Sequence, residues 1–473
     1  MTAALGLAAF AAALFNVTGF PPDNRVRAAT AQGDGRVWPH DIHIKIADLG
    51  GGDWRLEFRL AQPVRALDLG PSLNGFRTSD WRIVTPGLAL KSDGARDFLT
   101  GESGRQAFDR AVISVKARPL GLKKHYQPIR ELGAQGALVY TGHFWPWRNG
   151  RRLDAVFSVS PRAGALVSVF GRTSASLERW MSPFRHPAFV YVGPLRAQEN
   201  DRALLVADPR APAWLRRETA QSITPVLKAL EGLLGPFPDE KPNVFLAFEE
   251  GGPAGLLRYS GDALPGQFQL SLYGGAWARR TALGVELVRR ALAHESAHLW
   301  QTEVRPKGEQ PGWIHEGAAE AIAAEALVAL GWFSAADARR DLARARKNCA
   351  EGLRTGTLNS AEARGAIGAL YACGRIMVQT AADARDGAAP GAGSAAGFWR
   401  ALARRAEAEG GYDAGLFYAL VAETGGEALA RAMRRFARTE FARADQEITA
   451  LIAAGQSAQR DRARAPLAGA AER

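Results

Sequence analysis

A chain of 473 residues, 47% hydrophobic and 23% charged, is too long for one ordinary core and has the composition of two or three globular domains, which excludes a fibrous or low-complexity protein. The formal net charge is +12, with arginine far outnumbering lysine. These arginines are scattered among Ala, Asp and Glu, as at Arg339 to Arg346 and Arg400 to Glu407; a solvated surface is expected, with affinity for anionic membrane or envelope polymers as the lesser alternative, and no aromatic-interleaved basic cluster points to a nucleic-acid partner.

Thr2 to Phe15 is an uncharged run dominated by Ala and Leu. It is short for a spanning helix and suits a signal-peptide core, with an A-x-A-like cleavage site at Ala29-Thr30-Ala31. Residues 1–31 are therefore expected to be a signal peptide or, if uncleaved, an N-terminal anchor. Export to the periplasm or beyond follows, with membrane attachment only if this segment is retained.

From Val37 to about Gly193 the pattern is that of strands. Asp41 to Ile46 and Trp54 to Leu60 alternate polar and apolar residues, and Ala111 to Val115, Gly136 to Gly142, Asp154 to Ser160 and Ala165 to Phe170 are further short runs between turn residues. Strands at such spacing without intervening helices predict an antiparallel β-sandwich-like domain over 32–200. Its histidines (His40, His43, His125, His143 and His186) are widely spread and are expected to be packed or exposed singly. The aromatic stretch His143-Phe144-Trp145-Pro146-Trp147 either lines a groove or packs as a hairpin end on the core.

The strand pattern stops between Asp201 and Pro212, which places a domain boundary near 200. Trp214 to Leu234 reads as an amphipathic helix kinked at Pro225 and ended by Gly235-Pro236-Phe237-Pro238. Val244 to Phe248 reads as a buried strand and Phe268 to Tyr273 as an alternating one.

Leu283 to Ala293 has no Gly or Pro after Gly284 and predicts a helix running through His298. On that helix His294 and His298 are four apart and share a face, where two imidazoles can converge on one zinc ion. Glu295, next in sequence to the first histidine, stands beside such a metal and can take a proton from water there. A second helix-like run, His315 to Leu330, opens with Glu316 and carries Glu320 one turn later. Glu316 completes a two-His, one-Glu set for one zinc per chain with a position left open.

Beyond this point Ala335 to Lys347 and Ala361 to Thr380 predict helices, and Gly397 to Ala453 is helical with turns at Gly410-Gly411 and Gly425-Gly426. The expected divisions are 201–390 for a catalytic domain, 391–455 for a C-terminal helical region and 456–473 for a flexible tail. The two cysteines, Cys349 and Cys373, match no metal spacing. They are either two buried thiols or, in an exported protein, a disulfide closing a loop of about 25 residues and worth about 3 kcal/mol in chain entropy.

His294-Glu295-Ser296-Ala297-His298-Leu299-Trp300, followed by Trp313-Ile314-His315-Glu316-Gly317, resembles the gluzincin zinc metallopeptidases, and among them the aminopeptidase N (membrane alanyl aminopeptidase) type. The resemblance implies a thermolysin-like, mainly helical zinc-peptidase domain after the β-rich one, hence an α+β multidomain protein. It makes His294, His298 and Glu316 the zinc ligands, Glu295 the general base, and Trp300 and Trp313 the flanking tryptophans. Seventeen residues separate His298 from Glu316, one fewer than that family usually has, and His315 stands where it has asparagine; the resemblance is to a distant branch. Tyr371-Ala372-Cys373-Gly374 resembles its Y-x-K-G, which would make Tyr371 the donor to the oxyanion. Glu320 resembles the acid that fixes a zinc histidine from behind in thermolysin-like enzymes. The family's edge strand before the zinc helix carries a G-x-M-E-N motif whose glutamate holds the substrate's amino terminus. After Phe268–Tyr273 this chain has Gly274-Gly275-Ala276-Trp277 instead, with Glu249 and Glu250 as the upstream carboxylates available to substitute. The expected activity is hydrolysis of peptide or protein substrates by zinc-activated water, aminopeptidase-like. An endopeptidase with an open groove and a non-catalytic zinc-bearing peptide-binding module are the alternatives, and a binding module has no use for Glu295.

Overall fold

The computed structural model describes residues 40–468 apart from 121, 123–125, 134, 183–185, 238–240, 308–311 and 388–390. The expected signal or anchor segment at 1–31 lies outside the described residues. Among those described, no helix is long and apolar enough to cross a membrane.

The alternating runs do form the predicted N-terminal β domain. Ile42–Gly50 and Asp53–Val64 pair antiparallel, with Ile44 opposite Phe58. Their apolar positions (Ile42, Ile44, Ile46, Trp54, Leu56 and Phe58) all face inward, as the two-residue period of a strand requires. Three sheets, of six, five and five strands, enclose this core. One pairing departs from the expected antiparallel pattern: Ile42–Gly50 runs parallel to Ala155–Ser160, a long-range neighbour that no local alternation encodes. The stretch from His143 to Pro146 is buried in the core, and Trp147 is half-buried at its end. Phe144 stacks on Trp81 at 5.7 Å, and Trp145 meets Phe157 edge-on and donates its indole N–H to the Leu153 carbonyl at 2.7 Å. A short helix, α1 (Phe76–Asp80), places the buried Arg77 3.1 Å from Asp97.

The strands Ala137–Tyr140 and Phe189–Gly193 are buried along their whole length. One side of them serves the β domain. The other side, with Leu138, Tyr140, Phe189 and Tyr191, packs on Val206, Phe245, Ala247 and Leu264 of the second domain. That shared apolar layer fixes one domain against the other.

The second domain opens with a five-stranded mixed sheet in the order Gln198–Glu199, Leu204–Ala207, Asn243–Glu249, Gln267–Tyr273, Arg258–Leu264. Two expectations change here. Leu204–Ala207 is a strand inside the region read as strand-free; it pairs parallel with Asn243–Glu249 and its first three residues are buried, so it shows a short apolar run without alternation. The strand Gln267–Tyr273 is interior, and the edge belongs to Arg258–Leu264, joined to it by Pro265 and Gly266.

Nine α-helices follow α1 among the described residues. Helix α2 (Ala213–Leu234) runs unbroken through Pro225. Helix α3 (Ala282–Gln301) starts at Thr281, whose side chain caps Gly284 N–H at 3.0 Å. Then come α4 (Gly312–Ala329), α5 (Ala335–Gly352) and α6 (Ile367–Asp386). Helix α5 begins with a capping box between Ser334 and Asp337. Helix α6 starts later than the predicted Ala361, because 361–366 form turns and Gly365 has φ +74°. The C-terminal helices are α7 (Ala395–Glu409), α8 (Ala414–Gly425), α9 (Glu427–Arg438) and α10 (Ala444–Ala468). The tail expected to be flexible from 456 is therefore helical to Ala468. Gly455 lies against Thr380 and Gln459 donates to the Gly387 carbonyl at 2.7 Å, so contacts with α6 and the residue that ends it hold the start of a segment whose composition alone does not predict a helix.

Two features lock α4, α5 and α6 together. A Cβ at Gly317 would come within 2.2 Å of Gly374, and one at Gly374 within 2.1 Å of the Trp313 carbonyl. The glycines following Glu316 and Tyr371 in the two motifs thus let α4 and α6 cross in backbone contact. Cys349 and Cys373 form the disulfide of the two open alternatives and tie α5 to α6.

Candidate metal centre and active site

Helix α3 presents His294 and His298 on one face, as four-residue spacing dictates, and α4 brings Glu316 against them. The three form the one group of metal-ligating side chains found among the described residues. His294 Nε2 and His298 Nε2 are 3.1 Å apart, and Glu316 Oε2 lies 3.3 and 3.4 Å from them. All three residues are buried, and Glu316 Oε2 has no hydrogen-bond partner. Donor atoms about 2.0–2.2 Å from a common tetrahedral zinc stand roughly 3.3–3.5 Å from one another. The donor set, its spacing and the orphaned carboxylate oxygen therefore fit a zinc ion.

The far side of each imidazole is held in turn. The Gln301 amide donates to the His315 carbonyl at 3.2 Å and turns its oxygen to His298 Nδ1 at 2.6 Å. Nδ1 must then carry the proton, leaving the Nε2 lone pair for the metal. Glu320 Oε1 stands 3.2 Å from His294 Nδ1, an ion-pair contact whose angle falls short of a hydrogen bond. Gln301 was missed in the sequence, although its position three residues after His298 was the available signal. His315 was also missed as a neighbour. It stacks on His298 at 4.4 Å with its ring 17° from parallel and meets the Tyr412 hydroxyl at 3.3 Å. Burial, then the nearby His298, pushes its pKa down to about 3, so it is neutral.

The charges around this point are strongly coupled. Burial alone would lower the His294 pKa, but the carboxylates of Glu316 and Glu320 outweigh it and hold it well above the ordinary value. Burial works against ionising Glu316, yet His298 and His294 keep it below the usual carboxylate range. Glu320 is kept low likewise, against burial, by Arg290 and His294. Glu295 goes the other way. Burial raises it well above the ordinary range, opposed by His294 and reinforced by Asp262 and Glu316. A carboxylate with raised proton affinity beside a metal site is suited to accept a proton.

Glu295 has its room from the edge strand. A Cβ at Gly261 would lie 2.1 Å from Glu295 Oε1, so only glycine admits the carboxylate there. Tyr371 reaches the same place from α6, its ring 5.5 Å from that of His294. The two tryptophans are supports: Trp300 donates to Gly235 O at 3.0 Å and packs on Phe237, which holds the Gly-Pro-Phe turn against α3, and Trp313 donates to Asn359 at 3.1 Å.

Beside the centre lies a cavity of about 350 Å³ between the domains, lined by Tyr126, Gln127 and Arg130 from one side and Asp262, Gln269 and Ser271 from the other. Asp262 and Gln269 are cross-strand partners, joined by a 2.9 Å hydrogen bond from the amide to the carboxylate. Gln269 Oε1 is buried without a partner. Burial pushes the Asp262 pKa up to about 8, opposed by the Gln269 hydrogen bond and by Arg130. Neither upstream glutamate reaches the centre. Glu249 is paired with Arg130 at the cavity rim, its side chain 58% exposed, and Glu250 is exposed. The edge strand is Arg258–Leu264, one strand earlier than expected, and the carboxylate it carries is Asp262.

No family model matches this sequence, and no curated protein matches it. Solved structures do share its architecture. The M1 zinc metallopeptidase from Deinococcus radiodurans aligns over 85% of this chain and 94% of that one, with 17% identity and a TM-score of 0.50. A variant two-domain M1 zinc metallopeptidase bound to L-arginine has the same coverage and identity at 0.51. Native leukotriene A4 hydrolase from Saccharomyces cerevisiae aligns over 81% of this chain and 64% of that one, at 9% identity and 0.45. The chain has the fold of the two-domain M1 metallopeptidases and resembles them distantly.

Proposed function

We propose that this protein is a zinc-dependent peptidase that removes residues from the amino terminus of peptides. The observation that carries the reading is the convergence of His294 Nε2, His298 Nε2 and Glu316 Oε2 at 3.1–3.4 Å with Glu295 and Tyr371 alongside. Zinc held by these three atoms would polarise the scissile carbonyl and make water a nucleophile at neutral pH. Glu295 takes the proton released as water attacks and returns it to the leaving amine. The Tyr371 hydroxyl donates to the oxyanion, and its pKa, raised by burial and then by Glu316 and Glu295, keeps that proton in place. The free edge of Arg258–Leu264 can pair with an extended substrate backbone.

Asp262 is the carboxylate on that strand beside the cavity, and with Gln269 Oε1 it offers two acceptors to a substrate ammonium. A relative of the same fold that holds the free amino acid L-arginine supports the aminopeptidase reading. A disulfide and the apolar run from Thr2 to Phe15 support export. The test is a matched pair of peptides with free and acetylated amino termini. Cleavage of the free peptide alone, lost in Asp262→Asn with zinc content unchanged, is expected. Equal cleavage of both peptides at internal bonds would make the protein an endopeptidase.

A further inference from the structure

Three of the site's residues have a buried or half-buried ionic neighbour one helical turn behind them. Arg290 precedes His294 by four on α3, Glu320 follows Glu316 by four on α4, and Arg375 follows Tyr371 by four on α6. Four residues is the step that stacks side chains on one helix face, so the three partners form a layer beneath the site. Their charges meet at a residue from a fourth helix. Asp341, on α5, accepts from Arg290 Nη1 and Arg344 Nη2 on Oδ1, the latter at 2.5 Å, and from Arg375 Nη1 on Oδ2. The second arm of the Arg290 fork, Nη2, donates to Glu320 Oε2 at 2.8 Å. Glu320 Oε1 in turn faces His294 Nδ1.

We infer that Asp341 is a positioning residue for the metal site: through Arg290 and Glu320 it sets the orientation of the His294 ring, and through Arg375 it fixes the turn of α6 that carries Tyr371. The inference rests on reading His294 as a zinc ligand.

The side chain of Asp341 is 3% exposed, and those of Arg290 and Arg375 are 11% and 5% exposed. Burying so many charges is a poor way to gain stability, since apolar replacements of such groups are often no less stable. What they supply is geometry. A guanidinium is a rigid planar fork, and one that bonds two carboxylates fixes the distance between them, which a lysine ammonium does not. Two carboxylates and two guanidiniums also leave the layer neutral, with Arg344 at its half-exposed rim. The frame is held covalently as well: Cys349 on α5 is bonded to Cys373, which lies between Tyr371 and Arg375 on α6.

The experiment is a zinc-affinity measurement by competition with a chromophoric chelator, made on the full chain with the Tm of each zinc-free form alongside. Asp341→Asn and Glu320→Gln are each expected to weaken zinc binding about 10–100-fold. The double variant should be little worse than either, because both act through one path to His294. Arg290→Lys should weaken binding in the same direction. Lower Tm with unchanged zinc affinity, or losses that simply add, would overturn the inference and leave Asp341 a structural residue. Should Asp341→Asn fail to fold, Asp341→Glu keeps the charge but shifts it by one methylene. Its zinc affinity should fall between parent and Glu320→Gln, and parental affinity would overturn the inference. A parent chain that binds no zinc overturns the metal reading itself, and is told apart by its own titration.

Discussion

Both domains bury charge, and they do so in opposite ways. In the β domain Arg77 meets Asp97 at 3.1 Å, donates also to the Pro71 and His143 carbonyls, and lies over the Phe76 ring. Cation and anion close on each other there. In the helical domain the layer of Arg290, Glu320, Asp341 and Arg375 is built on the same principle, but above it three electron-pair donors, His294 Nε2, His298 Nε2 and Glu316 Oε2, face one another at 3.1–3.4 Å. Opposite charges brought together hold a fold. Like donors brought together, with a paired layer to keep them there, make a site whose spacing fits an added cation.

The largest effect should come from breaking the closed pair. Asp97→Ala leaves a guanidinium buried without its anion and is expected to cost about 3–5 kcal/mol in a denaturant titration. Glu316→Ala, made in the zinc-free protein, should cost less. The histidines it leaves can shed a proton, whereas Arg77 cannot. Equal costs at the two places would erase the distinction. A smaller effect sharpens the open side. Gly261→Ala forces the Glu295 carboxylate aside without touching a ligand. Zinc content should hold while kcat falls about 10–100-fold, as expected for a reacting group displaced by about an ångström. Loss of zinc together with kcat would mean that the edge strand shapes the ligands and not the base.

The four-residue spacing of His294 and His298 and the opening of a second helix at Glu316 were legible because helical geometry converts sequence spacing directly into shared faces. Tyr371 was reached through resemblance, and the glycine contact between α4 and α6 explains why it arrives at the site. What stayed hidden depended on long-range pairing. Leu204–Ala207 lacks alternation because it sits inside a mixed sheet. The order of Arg258–Leu264 and Gln267–Tyr273 at the sheet edge is not written in either strand's own pattern. Asp341 looks like one more acid on an arginine-rich helix, and only the packing of α5 against α3 and α6 reveals its partners. The helix to Ala468 was hidden for the same reason, since its support comes from α6.

The most direct test is the metal content of purified protein, measured by plasma mass spectrometry for the parent, Glu295→Gln and His298→Ala, alongside peptide hydrolysis. About one zinc per chain is expected in the parent and in Glu295→Gln, which keeps all three ligands, and hardly any in His298→Ala. Hydrolysis should survive only in the parent, falling by about 10²–10⁴-fold in Glu295→Gln. A parent without zinc, or a Glu295→Gln variant as active as the parent, would contradict the assignment of these residues.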